Sequence, residues 1–213
     1  MLGQVIAPNL TAGEGGISSE FSNKDWVKAI RHGVNRQNKG LLLMPSEEYY
    51  HLSNQDLAAM IAYLKQLPKV DNQLGETSLR PLGRFLVMQG ELPIKAEKIN
   101  HNQEHPGAPP KGATKAYGAY LGVNCQGCHG KNYAGQKIPG APPTWPKSTN
   151  ITPHPDGIGE WTINDFKKAL REGRRPDGSE ISEVMPAGLA ELEDWEVQAL
   201  WSYLQDLPPV SDS

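Results

Sequence analysis

The stretch Cys125-Gln126-Gly127-Cys128-His129 is the most informative part of the sequence. It has the pattern C-x-x-C-H, the attachment signature of a c-type haem. Each thiol can add across one haem vinyl group to form a thioether, and the histidine that follows then ligates the iron from the proximal side. These two cysteines are the only ones among 213 residues. The sequence therefore predicts one covalently attached haem c.

Composition excludes several other classes of protein. The net charge of −3 and the sequence pI of about 6.1 give no basic footprint for nucleic acid. No run of 18 apolar residues occurs, so we predict no membrane span in this chain. The first residues, MLGQVIAPNLTAGEGG, do not have the pattern of a secretory signal. Covalent haem attachment nevertheless favours a periplasmic or other extracytoplasmic location.

The chain contains an internal repeat. Asn9 and Asn150 are 141 residues apart, as are Met44 and Met185, and 140 residues separate Tyr63 from Tyr203. The longer matches pair residues 25–33 with 165–173 and residues 57–64 with 197–204, and both copies close on Leu-Pro-x-Val.

The same offset puts the attachment motif of the first copy about 16 residues before residue 1. We therefore expect residues 1–70 to be a truncated copy that has a distal half and no attachment motif. Residues 71–113 are predicted as a linker, and residues 114–213 as the complete domain. The simplest explanation is that the chain is a fragment of a longer two-haem protein; the alternative is a natural protein whose first domain has decayed.

Apolar spacing and capping residues predict an all-α fold with long Gly/Pro loops, and no convincing alternating strand appears. The candidate helices share a capping residue or an apolar face: 114–121, with Thr114 as N-cap; 162–172, ending at Gly173; 193–206; 53–66; and a short one at 78–89, interrupted early by Pro81.

Met185 is the candidate for the sixth iron ligand. It precedes Pro186 in a loop between two predicted helices, and the repeat has Met44 before Pro45 at the equivalent place. A thioether ligand favours ferrous iron and raises the reduction potential, and a closed six-coordinate site suits electron transfer. The alternative is that Met185 only fills the core, as isolated methionines usually do.

Three further interpretations concern the surroundings of the haem. The ring of His129 needs an acceptor for its Nδ1–H, and a backbone carbonyl within residues 138–143 is the candidate. Trp161 and Arg171 can reach the haem propionates; the alternatives are packing at a helix start for Trp161 and a solvated helix face for Arg171.

These motifs resemble a known family. Cys125 to His129, Asn150-Ile151-Thr152-Pro153, the segment Gly157 to Trp161 and Val184-Met185-Pro186 resemble a bacterial class I cytochrome c domain. The tandem copies and the segment Pro81 to Phe85 resemble multi-haem cytochrome c proteins, some of which are cytochrome c subunits of membrane-associated dehydrogenases. The resemblance implies a cytochrome c fold with crossing terminal helices, periplasmic export and redox protein partners, namely a dehydrogenase subunit or a terminal acceptor.

The leading hypothesis is an electron carrier that performs no catalysis on a substrate. A haem enzyme with an open sixth position, such as a peroxidase, is the alternative. A thiol redox motif would need a strand before Cys125, where we predict a helix. Residues 1–68, with no haem of their own, are expected to be poorly stable alone or to dock on the intact domain.

Overall fold

The computed structural model describes residues 2–42, 44–92, 94–105, 107–139, 141–142 and 144–212. Contacts divide the chain into two compact units, Met1–Gly107 and Ala108–Ser213, and both consist mainly of helices and loops. The first unit contains α1 (Asn23–His32), α2 (Ser46–Tyr49), α3 (Asn54–Gln66) and α4 (Pro81–Met88). The second contains α5 (Lys115–Gly122), α6 (Gln126–His129), α7 (Ile163–Glu172) and α8 (Asp194–Leu204).

The first unit also holds a short sheet that the sequence did not predict. Strand β1 (Gly3–Gln4) pairs antiparallel with β2 (Ser78–Leu79). Strands of two residues are too short to show an alternating pattern. The helix expected from residue 78 begins instead at Pro81, because proline fits the first turn of a helix, where its missing N–H costs no hydrogen bond.

Most of the predicted linker lies inside the first unit. Residues 71–107 contain β2, α4 and a 3-10 turn at Lys95–Lys98. Ala96 and Ile99 are buried, which gives this stretch apolar contacts that its Gly/Pro-rich composition did not suggest. The division between the two units follows Gly107, within the segment 71–113 that was predicted as a linker.

Capping residues set the ends of α7, as predicted. Thr162 and Asp165 form a reciprocal capping box, and Gly173 ends the helix with a φ of 65°. The first unit has the same arrangement at α1, where Ser22 and Asp25 form the box. Gly33 then ends α1 with a φ of 64°.

Each unit contains the same set of hydrogen bonds between an asparagine, a threonine and a backbone carbonyl, here called the polar clasp. In the second unit, Asn150 Oδ1 accepts from the amide and hydroxyl of Thr152 at 2.8 Å each, and its Nδ2 donates to the Val210 carbonyl at 2.6 Å. In the first unit, Asn9 makes the same three bonds with Thr11 and the Val70 carbonyl, at 3.0, 2.9 and 2.8 Å. The clasp ties the start of each repeat to its end.

Helices α5 and α8 cross in close contact in the second unit. A Cβ on Gly118 would lie 2.0 Å from the Ala199 carbonyl oxygen, so the crossing requires glycine. The core of the second unit consists of loop residues and residues of α7 and α8, namely Tyr133, Ile158, Phe166, Val197, Leu200 and Leu204. The first unit has a smaller core around Trp26, Ile30, Leu57 and Ile61.

Candidate functional site

The two cysteines lie on consecutive helical turns that follow α5. A 3-10 turn spans Val123–Cys125, and α6 carries Cys128 and His129. Residues three apart on a helical turn point to the same side, so both sulfurs can face one ligand. No disulfide joins Cys125 to Cys128. Because a helix and not a strand precedes the cysteines, the thiol redox hypothesis lacks its expected structural context.

The ring of His129 is oriented by a backbone carbonyl. Its Nδ1 lies 2.7 Å from the carbonyl oxygen of Thr149, and because a carbonyl only accepts, Nδ1 carries the hydrogen. The lone pair of the neutral ring is therefore on Nε2, where an axial iron ligand needs it. Two thiols on one side and a lone pair on Nε2 fit the donor set of a c-type haem.

The acceptor for His129 differs from the one expected. A backbone carbonyl was predicted, but within residues 138–143; of these, Gly140 and Pro143 lie outside the described residues. Thr149 provides it because the loop after the motif folds back along α6. Ser148 N donates to the Gln136 carbonyl at 3.0 Å, and Gln136 N donates to Ser148 Oγ at 2.9 Å.

A second set of bonds fixes this loop to the motif. The Gly135 amide donates to the His129 carbonyl at 2.9 Å, and Ser148 Oγ donates to the Cys128 carbonyl at 2.6 Å. Gly135 has a φ of 82°, and a Cβ there would meet the Ser148 carbonyl at 2.3 Å. A glycine at this position therefore lets the returning loop approach the motif closely.

Burial shifts the titration of the motif residues toward their neutral forms. Burial, reinforced by the neighbouring Cys128, raises the pKa of the Cys125 thiol to about 11. Burial lowers the pKa of His129, although its bond to Thr149 acts in the opposite direction. The imidazole is consequently neutral at pH 7 and can offer a lone pair to a metal.

Tyr133 is a structural residue of the site that the sequence did not reveal. It is buried and adopts a φ of 60°, which is uncommon for a residue with a side chain. Its hydroxyl accepts from Gln126 Nε2 at 2.9 Å, lies 3.2 Å from the Tyr203 hydroxyl, and lies 3.3 Å from the Gly122 carbonyl. Tyr133 thus connects α5, α6 and α8, and no local sequence signal marks this role.

Met185 lies in the loop between α7 and the 3-10 turn Ala187–Glu191. Its side chain is half-buried and lines a cavity of about 210 Å³ with residues of α7 and of this loop. Its repeat equivalent, Met44, packs instead against the core of the first unit. Met185 has no such place in the core cluster of the second unit, at least among the residues described.

Arg171 and Trp161 have structural contacts. The Arg171 guanidinium donates to Asp194 at 2.7 Å and to the Leu192 carbonyl at 3.0 Å, which braces α7 against the start of α8. Trp161 packs against the core of the second unit, as its alternative interpretation expected. Arg171 is therefore not a purely solvated residue, and the sequence could not identify Asp194 as its partner.

Comparison with known proteins identifies the family. The sequence profile of the family described as Cytochrome c matches residues 96–208, which is more than half of the chain. The chain therefore belongs to the cytochrome c family, and the predicted membership is confirmed.

The similar proteins include cytochrome subunits of dehydrogenases. The "Alcohol dehydrogenase (quinone), cytochrome c subunit" of Gluconobacter oxydans (strain 621H) is 39% identical over 95 residues, which cover 41% of this chain and 20% of that protein. The "Gluconate 2-dehydrogenase cytochrome c subunit" of Pantoea cypripedii is 26% identical over 225 residues, covering 95% of this chain and 50% of that protein. The "Fructose dehydrogenase cytochrome subunit" of Gluconobacter japonicus is 23% identical over 238 residues, covering all of this chain and 46% of that protein. The chain spans half or less of the length of these relatives.

Proposed function

We propose that this chain carries electrons through one haem c, bound by thioethers to Cys125 and Cys128 and ligated by His129 Nε2. The observation that carries this proposal is the 2.7 Å bond from His129 Nδ1 to the Thr149 carbonyl, because it leaves Nε2 free to donate to iron. When bound, the haem supplies a one-electron couple between ferrous and ferric iron. The chain would hold it through Cys125 and Cys128 and orient the proximal ring through the Thr149 carbonyl.

Met185 is proposed as the second axial ligand. Its position in a loop, its partial burial beside a cavity and its absence from the described core cluster support this role. A thioether stabilises ferrous iron, so we expect a raised reduction potential. Only one haem is proposed, because the chain has no cysteines beyond Cys125 and Cys128.

The ligand set can be tested on holoprotein expressed with a cytochrome c maturation system. A pyridine haemochrome spectrum should show two thioether links and one haem per chain. Met185→Ala should remove the low-spin His/Met absorption and lower the potential. Met88→Ala is the matched control, because this methionine is 81% exposed on α4.

Two results would contradict the ligand assignment. An unchanged spectrum in Met185→Ala would refute Met185 as ligand. A high-spin wild-type spectrum with peroxide turnover would instead favour the alternative, a haem enzyme with an open sixth position. Absence of covalent haem after expression with the maturation system would refute the electron-carrier proposal as a whole.

We propose a periplasmic role as an electron-carrying domain or subunit that serves a dehydrogenase or a respiratory chain. The names of the relatives support this proposal. Among the described residues, no helix has the length and apolar character needed to cross a membrane. In stopped-flow mixing, an alcohol dehydrogenase supplied with alcohol, or a gluconate dehydrogenase supplied with gluconate, each lacking its own cytochrome subunit, should transfer electrons from that substrate to the oxidised holoprotein and reduce the haem. Failure with both enzymes would contradict the proposed partner class.

We also propose that residues 1–70 form a second cytochrome c-like unit, one that has no haem-attachment motif within these residues. The shared clasp and the capping box of α1 support this proposal. On α3, Ala59 and Tyr63 are exposed, whereas their repeat equivalents on α8 lie against α5, where Ala199 is buried and Tyr203 is half-buried. Limited proteolysis of the holoprotein should therefore cut first within residues 1–70. A first segment as resistant as residues 114–213 would contradict this expectation.

A further inference from the structure

Two imidazole rings face each other in the first unit, away from the proposed haem motif in sequence. His32 is the last residue of α1, and His101 follows the 3-10 turn Lys95–Lys98. Their Nδ1 atoms are 3.0 Å apart, and their ring centroids are 5.2 Å apart. The two residues are 69 positions apart in the chain, so only the fold brings them together.

The His101 ring is oriented in the way that metal-binding histidines usually are. Its Nε2 lies 3.0 Å from the Ala96 carbonyl oxygen, which can only accept, so Nε2 carries the hydrogen. In the neutral ring, the lone pair is then on Nδ1, the ring nitrogen that lies 3.0 Å from His32 Nδ1. A histidine ligand generally donates its second N–H to a carbonyl or carboxylate, which fixes the tautomer.

We propose that His32 and His101 bind one divalent transition-metal ion through their Nδ1 atoms. With metal–nitrogen bonds of about 2.1 Å, two ligands at a right angle have nitrogens about 3.0 Å apart, whereas a tetrahedral angle separates them by about 3.4 Å. The observed 3.0 Å fits adjacent positions of a square-planar or octahedral ion. Imidazole nitrogens are common ligands of Ni²⁺, Cu²⁺ and Zn²⁺, so the pair suits an ion of this group.

Some groups near the two histidines favour a bound cation and others oppose it. The carbonyl end of α1, which Gly33 terminates, favours a cation beside His32. Arg31 opposes it electrostatically, but its guanidinium bonds to Asn54 Oδ1 and the Leu52 carbonyl at 2.7 Å each. Within the described residues, no group of three or more His, Cys, Asp or Glu side chains is arranged to hold a metal. Water would therefore complete the coordination, and the affinity would be moderate.

Titration of the holoprotein with NiCl₂ tests the proposal. The protein must be free of any affinity tag, and the bound haem would keep His129 Nε2 from competing. Calorimetry should show one saturable Ni²⁺ site per chain. His32→Asn and His101→Asn should each weaken Ni²⁺ binding by about tenfold or more, since losing a ligand costs at least as much as losing its supporting bond.

The controls separate this pair from other imidazoles. His154→Asn is the matched control and should leave Ni²⁺ binding unchanged. His154 lies in the second unit, where its Nδ1 is 3.2 Å from Asp156 Oδ2. Circular dichroism of each variant checks the fold, and His101 is exposed, so its replacement should be tolerated. The proposal would be overturned if no saturable Ni²⁺ binding were found, or if both variants of the pair bound Ni²⁺ as the wild type does. The 3.0 Å contact would then be a hydrogen bond between the two rings.

Discussion

The crossing of α5 and α8 predicts a large effect for Gly118→Ala. The added Cβ would lie 2.0 Å from the Ala199 carbonyl oxygen, 2.5 Å from its carbon and 2.8 Å from Tyr203 Cβ. Two of these atoms belong to the backbone of α8, so no side-chain rotation relieves the clash. The helices would have to separate by roughly 1 Å to restore ordinary contact. That movement would also disturb the contact of Tyr117 with Trp195, whose ring centroids are 5.1 Å apart.

The magnitude follows from two opposing effects. Overpacking a well-filled contact costs about 1–3 kcal/mol, and a clash with backbone belongs at the upper end of that range. Replacing glycine by alanine within a helix returns about 1 kcal/mol. We therefore expect the free energy of unfolding of the second unit to fall by about 2 kcal/mol. With a urea m-value of about 2 kcal/mol/M, the midpoint should decrease by about 1 M.

Urea unfolding of the holoprotein, followed by haem absorption, measures this change in the second unit. Gly188→Ala is the matched control, because a Cβ at Gly188 would have no atom within 4 Å. Its midpoint should stay close to that of the wild type. If Gly118→Ala had the same midpoint as Gly188→Ala, the close approach of α5 to α8 would be refuted.

Three further predictions concern the polar contacts. Asn150→Ala should lower the free energy of unfolding by about 3 kcal/mol, because the buried clasp loses three hydrogen bonds. Asn9→Ala should lower it by only about 1 kcal/mol, because Asn9 is more exposed. Urea midpoints of the two variants test this, and equal effects would contradict the role of burial. Tyr203→Phe should cost about 1 kcal/mol by removing the bond to Tyr133, and an unchanged midpoint would argue against that bond. Hydrogen bonds from the Thr162 hydroxyl and amide lower the pKa of Asp165 in the folded state. The stabilisation by the Asp165 carboxylate should therefore be present above its ordinary pKa of 3.8 and be lost as pH falls through the lowered pKa. Urea midpoints between pH 5 and 3 should depend less on pH in Thr162→Ala than in the wild type, and an identical dependence would contradict this assignment.

Local signals predicted the helices well. Thr114, Thr162 and Ser53 each accept a backbone hydrogen bond as N-cap, and Gly173 ends α7. A capping side chain acts on residues within one turn, so its effect can be read from neighbouring letters of the sequence. The same reasoning failed at residue 78, because two-residue strands depend on a partner far along the chain.

Contacts between distant residues could not be predicted in the same way. The linker prediction for residues 71–113 relied on composition, and burial of Ala96 and Ile99 in the first unit is not visible in composition. Arg171 pairs with Asp194, 23 residues away, and neither residue signals the other in the sequence. A long side chain has several acceptors within reach, so the fold, and not the residue type, decides which acceptor it binds.

The sequence by itself determined the attachment motif, the capped ends of several helices and the internal repeat, because each depends on residue types at short or constant spacing. Only the tertiary structure decided that the Thr149 carbonyl orients His129, that Gly118 meets Ala199, and that His32 faces His101. A backbone carbonyl is present at every residue, so no sequence signal says which one a ring will reach. That choice depends on the path of the chain between the two partners, and the path is set by packing.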